Sequence, residues 1–361
     1  MKNSLSKVLI VIAVLLLIVA GVILGIYFFR EKQSVNDVIS LGTDFIGINK
    51  EENQETEEPE EVVSPKKTIN IFSGTERPYA VMIDNHLDAL PQAGLNKAYI
   101  VYEMIVEGGE TRLMALFKNR DLEKIGPIRS SRHYFLDYAL ENDAIYVHFG
   151  WSPQAQSDIS KLGVNNINGI TAGENANAFW RVSDKYAPHN AVTSSLNIIK
   201  MAQDRNYSTT SDKKSVLNYV ADEVELTDGK VAKSVTIPYS YYNDVKYVYD
   251  AETKRYTRYS RDRLQKDWDT QENITTKNII VTFVQNTTLN DGENKGRQTL
   301  DNVGTKDGYY ITNGKAIKIK CKKSSRSSQT VYEDLNGNEI KVNDGNTFIQ
   351  ICPLNAEVEF E

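Results

Sequence analysis

Residues 77–117 read RPYAVMIDNHLDALPQAGLNKAYIVYEMIVEGGETRLMALF, and this stretch decides the fold class. Its apolar runs lie within residues 79–83, 98–109 and 111–117. Each run is short and is bounded by Pro, Asn, Asp or Gly, which is typical of buried strands. The stretch therefore predicts three strands joined by turns, with a Gly-Gly break before the third.

Helical patterns follow this stretch. Residues 132–140 place four apolar side chains on one helical stripe behind a serine N-cap, and residues 194–204 show a second helical pattern. Residues 144–150 form a fourth predicted strand between these two helices. Strands that alternate with helices predict an α/β domain over residues 70–215.

The C-terminal part, residues 226–361, has a different pattern. Its apolar runs are strand-like and are separated by Asn, Asp and Gly, and residues 334–339 carry a hairpin signal. In residues 316–322, apolar side chains alternate with lysines, which indicates a strand with one solvated side. We therefore expect a smaller, β-rich (α+β) second domain.

The N-terminal residues 8–29 contain no charge, amide or proline. A helix of this length spans about 33 Å, enough to cross the hydrocarbon core of a bilayer. We expect a single transmembrane helix. The alternative is a cleaved signal peptide, whose apolar region is usually about 7–15 residues. Lys2 and Lys7 favour a cytoplasmic tail, residues 1–7, and an extracytoplasmic remainder.

Residues 30–69 read as an acidic tether. Seven glutamates fall between Glu51 and Glu61, and the stretch has too few apolar residues to offset the entropy of ordering, so we predict disorder. The net charge of −6 argues against a nucleic-acid partner, which would require a basic face. The expected partners are the membrane, through the N-terminal helix, and a cell-wall or other envelope component.

The chain resembles the YerB family of Gram-positive envelope proteins, most of which are predicted lipoproteins. The resemblance covers nearly the whole predicted ectodomain, and its N-terminal blocks occur in family order, including EKIGPIRSSRHYFLDYA, YVHFGWSP, NNINGI and KYAPHN. It implies a layered α/β domain with a mixed sheet and a β-rich companion domain. The family has no established activity, so the resemblance implies fold and location rather than chemistry.

Two features depart from the family pattern. A transmembrane helix replaces the lipidated cysteine of many relatives, and Cys321 and Cys352 occupy positions where the family has a tryptophan and an aliphatic residue. Both cysteines lie in strand-like segments on the extracytoplasmic side, where disulfides form. A disulfide between them is therefore a candidate, provided that their Cα atoms lie within about 7 Å.

The segment IGPIRSSR, residues 125–132, is the sharpest local motif. Arg129 and Arg132 flank two serines where a helix is predicted to begin. Guanidinium groups and free N–H groups at a helix N-terminus would bind phosphate or carboxylate. Equally, these arginines could form ion pairs with Glu103, Glu107 or Asp137 inside the fold.

Carboxylates near the ends of the predicted strands are candidate catalytic groups. Asp84, Glu103 and Glu107 lie where α/β folds tend to place ligands, and paired carboxylates suit acid–base chemistry on a glycan. The competing interpretation is an ion-pair network with Arg112 and Arg77. No G-x-S-x-G, P-loop or G-x-G-x-x-G motif occurs.

The four histidines could contribute to a His/His/carboxylate metal site, but no H-x-x-x-H or H-E-x-x-H spacing supports one, so no metal site and no cofactor are expected. Aromatic and amide side chains could line a groove for sugars or peptides, or could simply pack. The candidate ligand-binding residues are Asn85, His86, Arg112, Arg129, Ser130, Arg132, His148, Trp151, His189 and Asn190.

Three functions compete at this point. The first is a non-enzymatic envelope module that binds a polar or anionic ligand through Arg129, Arg132 and their neighbours. The second is a hydrolase or transferase on wall polymers that uses the carboxylates. The third is a scaffold that presents its C-terminal domain to another membrane protein.

Overall fold

The computed structural model describes residues 67–118 and 121–361. The predicted tail, the predicted membrane span at residues 8–29 and most of the predicted tether lie outside these residues. Within the described part, no helix is long and apolar enough to cross a membrane.

The N-terminal segment alternates strands and helices, as the apolar pattern predicts. Its strands are β1 (Tyr79–Asp84), β2 (Ile100–Ile105), β3 (Thr111–Phe117), β4 (Ile145–His148), β5 (Asn166–Asn168), β6 (Trp180–Arg181), β7 (Ala191–Val192) and β8 (Tyr219–Val220). Its α-helices are α1 (Leu136–Glu141), α2 (Pro153–Lys161), α3 (Ala172–Ala178) and α4 (Ser195–Asp204). Short 3₁₀ turns cover Leu87–Ala89, Leu95–Lys97, Glu107–Gly109 and His133–Phe135.

The C-terminal segment is strand-rich. Its strands are β9 (Lys230–Val231), β10 (Ser234–Ser240), β11 (Asn243–Asp250), β12 (Arg255–Ser260), β13 (Arg263–Leu264), β14 (Thr275–Thr276), β15 (Asn278–Val284), β16 (Asn286–Thr288), β17 (Gln298–Leu300), β18 (Gly304–Thr312), β19 (Lys315–Lys323), β20 (Val331–Glu333), β21 (Val342–Asn343), β22 (Thr347–Pro353) and β23 (Glu359–Phe360). A hairpin turn follows β20 as predicted, with the Asp334 carboxylate accepting the backbone N–H of Asn336 and Asn338.

Both segments contribute to one large mixed sheet. Its strand order is β20-β19-β18-β15-β22-β2-β3-β1-β4-β5, with β9 beside β19. Strand β22 pairs in parallel with β15 on one side and with β2 on the other, so it joins the C-terminal strands to the N-terminal ones. The stretch Pro65–Glu361 accordingly forms a single compact unit. The division into two domains, residues 70–215 and 226–361, stays a prediction.

The two faces of the large sheet are covered differently. On the helix face, the Tyr102 hydroxyl donates to Glu141 of α1 at 2.7 Å, and Lys323 of β19 pairs with the same carboxylate at 2.8 Å. On the other face lies a second sheet, β13-β12-β11-β10-β23, with β14 beside β12. There, Tyr239 donates to Gln350 at 3.1 Å. The period-2 alternation of each strand assigns its side chains to these two faces.

The helix pattern at residues 132–140 is only partly correct. A 3₁₀ turn occupies His133–Phe135, the α-helix begins at Leu136, and neither has a serine cap. The preceding residues are held by bridges from Ile128 to Ile83 and from Ser131 to Trp151, so they run as extended chain. The predicted serine cap is therefore wrong, whereas anion binding near this helix start stays a prediction. Helix α4, with Ser194 as its N-cap, is confirmed.

The predicted disulfide is also wrong. Cys321 and Cys352 are both buried free thiols. Strands β18 and β15 separate β19 from β22, which is about 14 Å at the usual strand spacing. In addition, Cys321 shares the helix face with Lys323, whereas Cys352 shares the second-sheet face with Gln350.

Candidate functional site

Polar side chains collect at the carboxyl ends of β1 and β2, beside the start of β3. Asp84 ends β1 and pairs in register with Arg112 of antiparallel β3, so both side chains lie on the helix face. Because β1 runs parallel to β4, this edge of the sheet is where α/β proteins usually bind ligands.

The Gly-Gly break shapes one wall of this region. Gly108 and Gly109 both have positive φ, 70° and 77°, a conformation that other residues rarely adopt. The resulting tight turn places Glu107 and Glu110 on either side of the two glycines. Both carboxylates line the same cleft.

This cleft, called the arginine cleft below, has a volume of about 260 Å³. It is lined by Asp84, His86, Val106, Glu107, Glu110, Thr111, Arg112, Arg129, Arg132, Lys295 and Arg297. Five lysine and arginine side chains line the cleft with three carboxylates. With the ion-pair partners just outside the lining, which are Asp291, Glu293 and Arg261, six cations stand against five carboxylates, an excess of one positive charge when histidine is neutral. Its electrostatics favour an anion.

Asp84 organises one end of the arginine cleft. Its carboxylate accepts from Nδ1 of His189 at 2.8 Å and forms an ion pair with Arg129, whose Nε lies 3.2 Å away. The His86 ring stacks on the His189 ring with centroids 4.7 Å apart. Arg129 is therefore neutralised by a carboxylate that it shares with a histidine.

Arg132 is also paired. Its guanidinium donates to both carboxylate oxygens of Glu107, at 2.5 and 2.9 Å. Burial raises the pKa of the Glu107 carboxyl, but hydrogen bonding and charge from Arg132 outweigh burial and hold it below 4.5. Glu107 is consequently ionised at neutral pH. The predicted ion pair between a motif arginine and Glu107 is confirmed, because Glu107 pairs with Arg132. Asp137, another predicted partner, pairs with Arg326 instead.

Arg112 behaves differently from its neighbours. Its side chain is buried, its Nη1 donates to the Ser130 carbonyl at 2.5 Å, and no carboxylate of the described residues lies within ion-pair distance. Burial, followed by the positive charge of Arg132, lowers the pKa of Arg112 to about 10. The fold thus holds a desolvated cation against the cleft with its charge incompletely neutralised.

The C-terminal segment completes the lining. Lys295 and Arg297 come from the loop that joins β16 to β17, and Arg297 is held there by Asp291 and by Glu293 at 2.9 Å. At the rim, Arg261 forms an ion pair with Glu110. Sequence reasoning missed these residues, because they lie more than 100 positions from the IGPIRSSR motif and carry no motif of their own.

Glu103 and Asn85, both predicted as site residues, lie on the second-sheet face. Glu103 is fully buried and pairs with the equally buried Arg258 at 3.1 Å. Asn85 donates to Glu103 at 3.2 Å and to Thr111 at 2.7 Å. The burial of Glu103 and its pairing with Arg258 favour a structural role, and a catalytic role for Glu103 stays a prediction.

Four other predicted residues are not among those that line the cleft. His148 is fully buried between the Gly150 carbonyl and Asn166, and burial lowers its pKa to about 4. Asn190 bonds the backbone of its own loop, and Ser130 donates its hydroxyl to the Phe149 carbonyl. Trp151 lines a separate cavity of about 430 Å³ beside α2.

The predicted site therefore converges in part. Asp84, His86, Glu107, Arg112, Arg129 and Arg132 line one cleft, and His189 joins it through Asp84. The fold and this cleft define a mixed α/β protein whose strand-rich C-terminal segment completes an arginine-lined site.

Comparisons with known proteins agree with this class. Residues 68–208 match the family described as "Protein of unknown function (DUF3048) N-terminal domain", and residues 235–349 match the corresponding C-terminal domain. "Putative lipoprotein YerB" of Bacillus subtilis (strain 168) is 30% identical over 288 residues, which covers 77% of this chain and 81% of that relative. The chain belongs to the YerB family.

A solved structure supports the same assignment. The crystal structure of YerB protein from Bacillus subtilis matches with a TM-score of 0.70 and 30% sequence identity. The match covers 79% of this chain and 94% of the crystallised chain. The family resemblance predicted from the sequence is therefore confirmed.

Proposed function

We propose that this protein is a membrane-anchored, extracytoplasmic binding module that holds an anionic group of an envelope component in the arginine cleft. The observation that carries the proposal is Arg112, a buried guanidinium without a carboxylate partner among the described residues. Burying such a charge is costly unless it is paired. An anionic ligand would supply the missing partner.

The lining favours phosphate or carboxylate over other anions. Guanidinium groups bind both planar carboxylates and phosphates through two parallel N–H···O bonds. Arg129 is paired with Asp84, and Arg132 is paired with Glu107. Arg112 lies between them and has no such partner among the described residues, so the uncompensated positive charge is that of Arg112. A cleft of about 260 Å³ suits one pendant or terminal group of a polymer, with the remainder of that polymer outside.

The N-terminus and the family support the proposed location. Residues 8–29 are long and apolar enough for an uncleaved anchor, and the relative from Bacillus subtilis is named a lipoprotein. Both kinds of anchor attach a protein to a membrane from one end. We propose a single-pass topology with the N-terminus in the cytoplasm and residues 30–361 outside.

The test is a binding titration of the purified full chain with isolated cell-wall fragments, before and after the phosphate-bearing polymers are removed. We expect binding that weakens with salt and that is lost in Arg112→Met and in the Arg129→Ala, Arg132→Ala double variant. The loss should exceed tenfold, since a charge-assisted hydrogen bond contributes about 1.5–3 kcal/mol.

Arg205→Ala is the matched control. Arg205 is a partly exposed arginine paired with Glu174, and it lies outside the arginine cleft. It should leave binding unchanged. Equal binding by the wild type and the folded Arg112→Met variant would remove the arginine cleft from the function.

The alternative, a wall-polymer hydrolase or transferase, has weaker support. An acid–base pair needs one carboxyl with a raised pKa, whereas the Glu107 carboxyl has a lowered one and Asp84 is committed to His189 and Arg129. Incubating the full chain with peptidoglycan tests this alternative. Release of soluble fragments that disappears in Asp84→Asn would favour the enzyme over the binding module.

A further inference from the structure

Two guanidinium groups of the arginine cleft are fixed by consecutive backbone carbonyls. Arg112 Nη1 donates to the Ser130 carbonyl at 2.5 Å, and Arg132 Nη1 donates to the Ser131 carbonyl at 2.7 Å. Both arginines line the cleft. These contacts hold the two groups in place and leave Nε and Nη2 of Arg132, the edge that binds planar anions, for a further partner.

Glu107 occupies this edge of Arg132. Its two carboxylate oxygens accept from Nε at 2.5 Å and from Nη2 at 2.9 Å, which is the paired geometry by which guanidinium groups bind carboxylates and phosphates. Burial raises the pKa of Glu107, but the hydrogen bond and charge of Arg132, and then the charge of Arg112, hold it below 4.5. The Glu107 carboxylate therefore lies in the field of both arginines, as the anionic group of a ligand would.

Glu107 can leave this position more readily than Asp84, the other paired acid inside the cleft. The Glu107 side chain is 21% exposed, and Arg132 is its only side-chain partner among the described residues. The Asp84 side chain is 5% exposed and is held by both His189 and Arg129. Because Glu107 reaches solvent, rotation about its own side-chain bonds can move its carboxylate out of the cleft.

We infer that Glu107 is an internal competitor for the anion site, and that an anionic ligand takes its place on Arg132 while also binding Arg112. This inference rests on the proposed function and specifies how the ligand is held. The ligand must present two oxygens on one atom, as phosphate and carboxylate groups do, because it replaces a carboxylate on the same two N–H groups. A competitor attached to the chain stays at a high effective concentration, so it lowers the apparent affinity for the ligand.

Glu110 offers the matched control. It lies on the other side of the Gly-Gly turn and lines the same cleft, but it pairs with Arg261 instead of Arg132. Its side chain is 26% exposed, close to the 21% of Glu107. Glu107→Gln and Glu110→Gln therefore remove the same charge from the same lining, and only the first removes a charged competitor from Arg132.

The test is a calorimetric titration of the purified full chain with inorganic phosphate and, separately, with acetate. We expect Glu107→Gln to bind whichever ion the wild type prefers about tenfold more tightly, the equivalent of one charge-assisted hydrogen bond that no longer has to be displaced. Glu110→Gln should gain no more than about threefold, because it changes only the electric field of the cleft.

A crystal structure of the wild type with the preferred ion bound is a second measurement that depends on no variant. We expect the ion on Nε and Nη2 of Arg132 and within reach of Arg112, with the Glu107 carboxylate turned to solvent. An ion bound in the cleft beside an intact pair of Glu107 and Arg132 would overturn the inference.

The outcomes separate this inference from the proposed function. Equal affinities of the wild type, Glu107→Gln and Glu110→Gln, or equal gains in the two variants, would overturn the competitor role alone. A Glu107→Gln variant that binds neither ion would overturn it as well. Unchanged ion binding by a folded Arg112→Met variant would instead count against the proposed function.

Discussion

The two faces of the large sheet each bury an arginine, and they treat it in opposite ways. On the second-sheet face, Arg258 is paired with Glu103 at 3.1 Å and receives a further contact from Tyr247. Burial alone would lower its pKa, but the Glu103 charge outweighs burial and raises it. On the helix face, Arg112 donates to the Ser130 carbonyl, and no carboxylate of the described residues lies within ion-pair distance of it; burial lowers its pKa to about 10.

This comparison distinguishes a buried arginine with a structural role, Arg258, from a buried arginine that can bind a ligand, Arg112. A buried ion pair with both partners present is compensated in charge and does not require an anionic ligand. A buried cation without its partner keeps part of its desolvation cost until an anion arrives. Burial and residue type are the same in both cases, so the partner decides the role.

Breaking the Glu103–Arg258 pair should have the largest effect. We expect Arg258→Met to lower the free energy of unfolding by about 3–5 kcal/mol, because Glu103 is left as an uncompensated buried charge. Urea unfolding measures the loss. The Glu103→Gln, Arg258→Met double variant should recover much of it; a double variant less stable than Arg258→Met would contradict the pair's structural role.

Lowering the pH should destabilise the protein through a third buried group, His148. Its pKa is lowered from 6.5 to about 4 by burial, so between these values the unfolded chain binds a proton that the folded chain does not. Stability is therefore full above pH 6.5 and falls as the pH drops, by about 3 kcal/mol for this group. Unfolding curves at stepwise lower pH measure the slope. In a His148→Gln variant, the free energy of unfolding should fall less steeply as the pH drops. An unchanged slope would show that other groups cause the acid sensitivity.

Removing the cationic group of Arg112 should stabilise the free protein. The lowered pKa means that the charged form of Arg112 destabilises the fold by about 3 kcal/mol. Loss of the hydrogen bond to Ser130 in the variant destabilises it by about 1 kcal/mol. Arg112→Met should thus gain about 1–2 kcal/mol in urea unfolding. Lower stability in this variant would make Arg112 structural, like Arg258, and end the contrast between the faces.

The cysteines should have the smallest effect. Cys321 lies on the helix face and Cys352 on the second-sheet face, so both thiols stay free. Thermal unfolding with and without reductant should give the same Tm, whereas loss of a disulfide would typically cost about 2–5 kcal/mol. Thiol alkylation after denaturation counts two free groups if this is correct, and none if a bond forms.

Much of the fold could be predicted from local pattern. The runs at residues 79–83 and 111–117 are strands, and Ser194 caps a helix where a polar residue precedes an apolar stripe. The start of the helix after IGPIRSSR could not be predicted, because bridges to β1 and Trp151 override the local helical pattern. Long-range pairing competes there with a local preference that is weak by itself.

The candidate site was predictable only in residue type. Arg112, Arg129 and Arg132 were identified because arginines near strand ends and turns suggest anion binding. Glu103 looked equivalent to Glu107 in sequence, yet Glu103 is buried against Arg258 whereas Glu107 lines the arginine cleft. The contact between His86 and His189 has no sequence signal, because 102 residues separate them in the chain.

The sequence by itself determined strands β1 to β4, helix α4, the apolar N-terminal run and the membership of the YerB family, because these depend on neighbouring residues and on long matching blocks; helices α2 and α3 were not predicted. Tertiary structure decided which face each polar side chain occupies. Alternation along a strand states that adjacent residues face opposite ways, but only the packing of helices and the second sheet determines what each face meets. For that reason Arg112 faces a cleft while Arg258 faces a carboxylate.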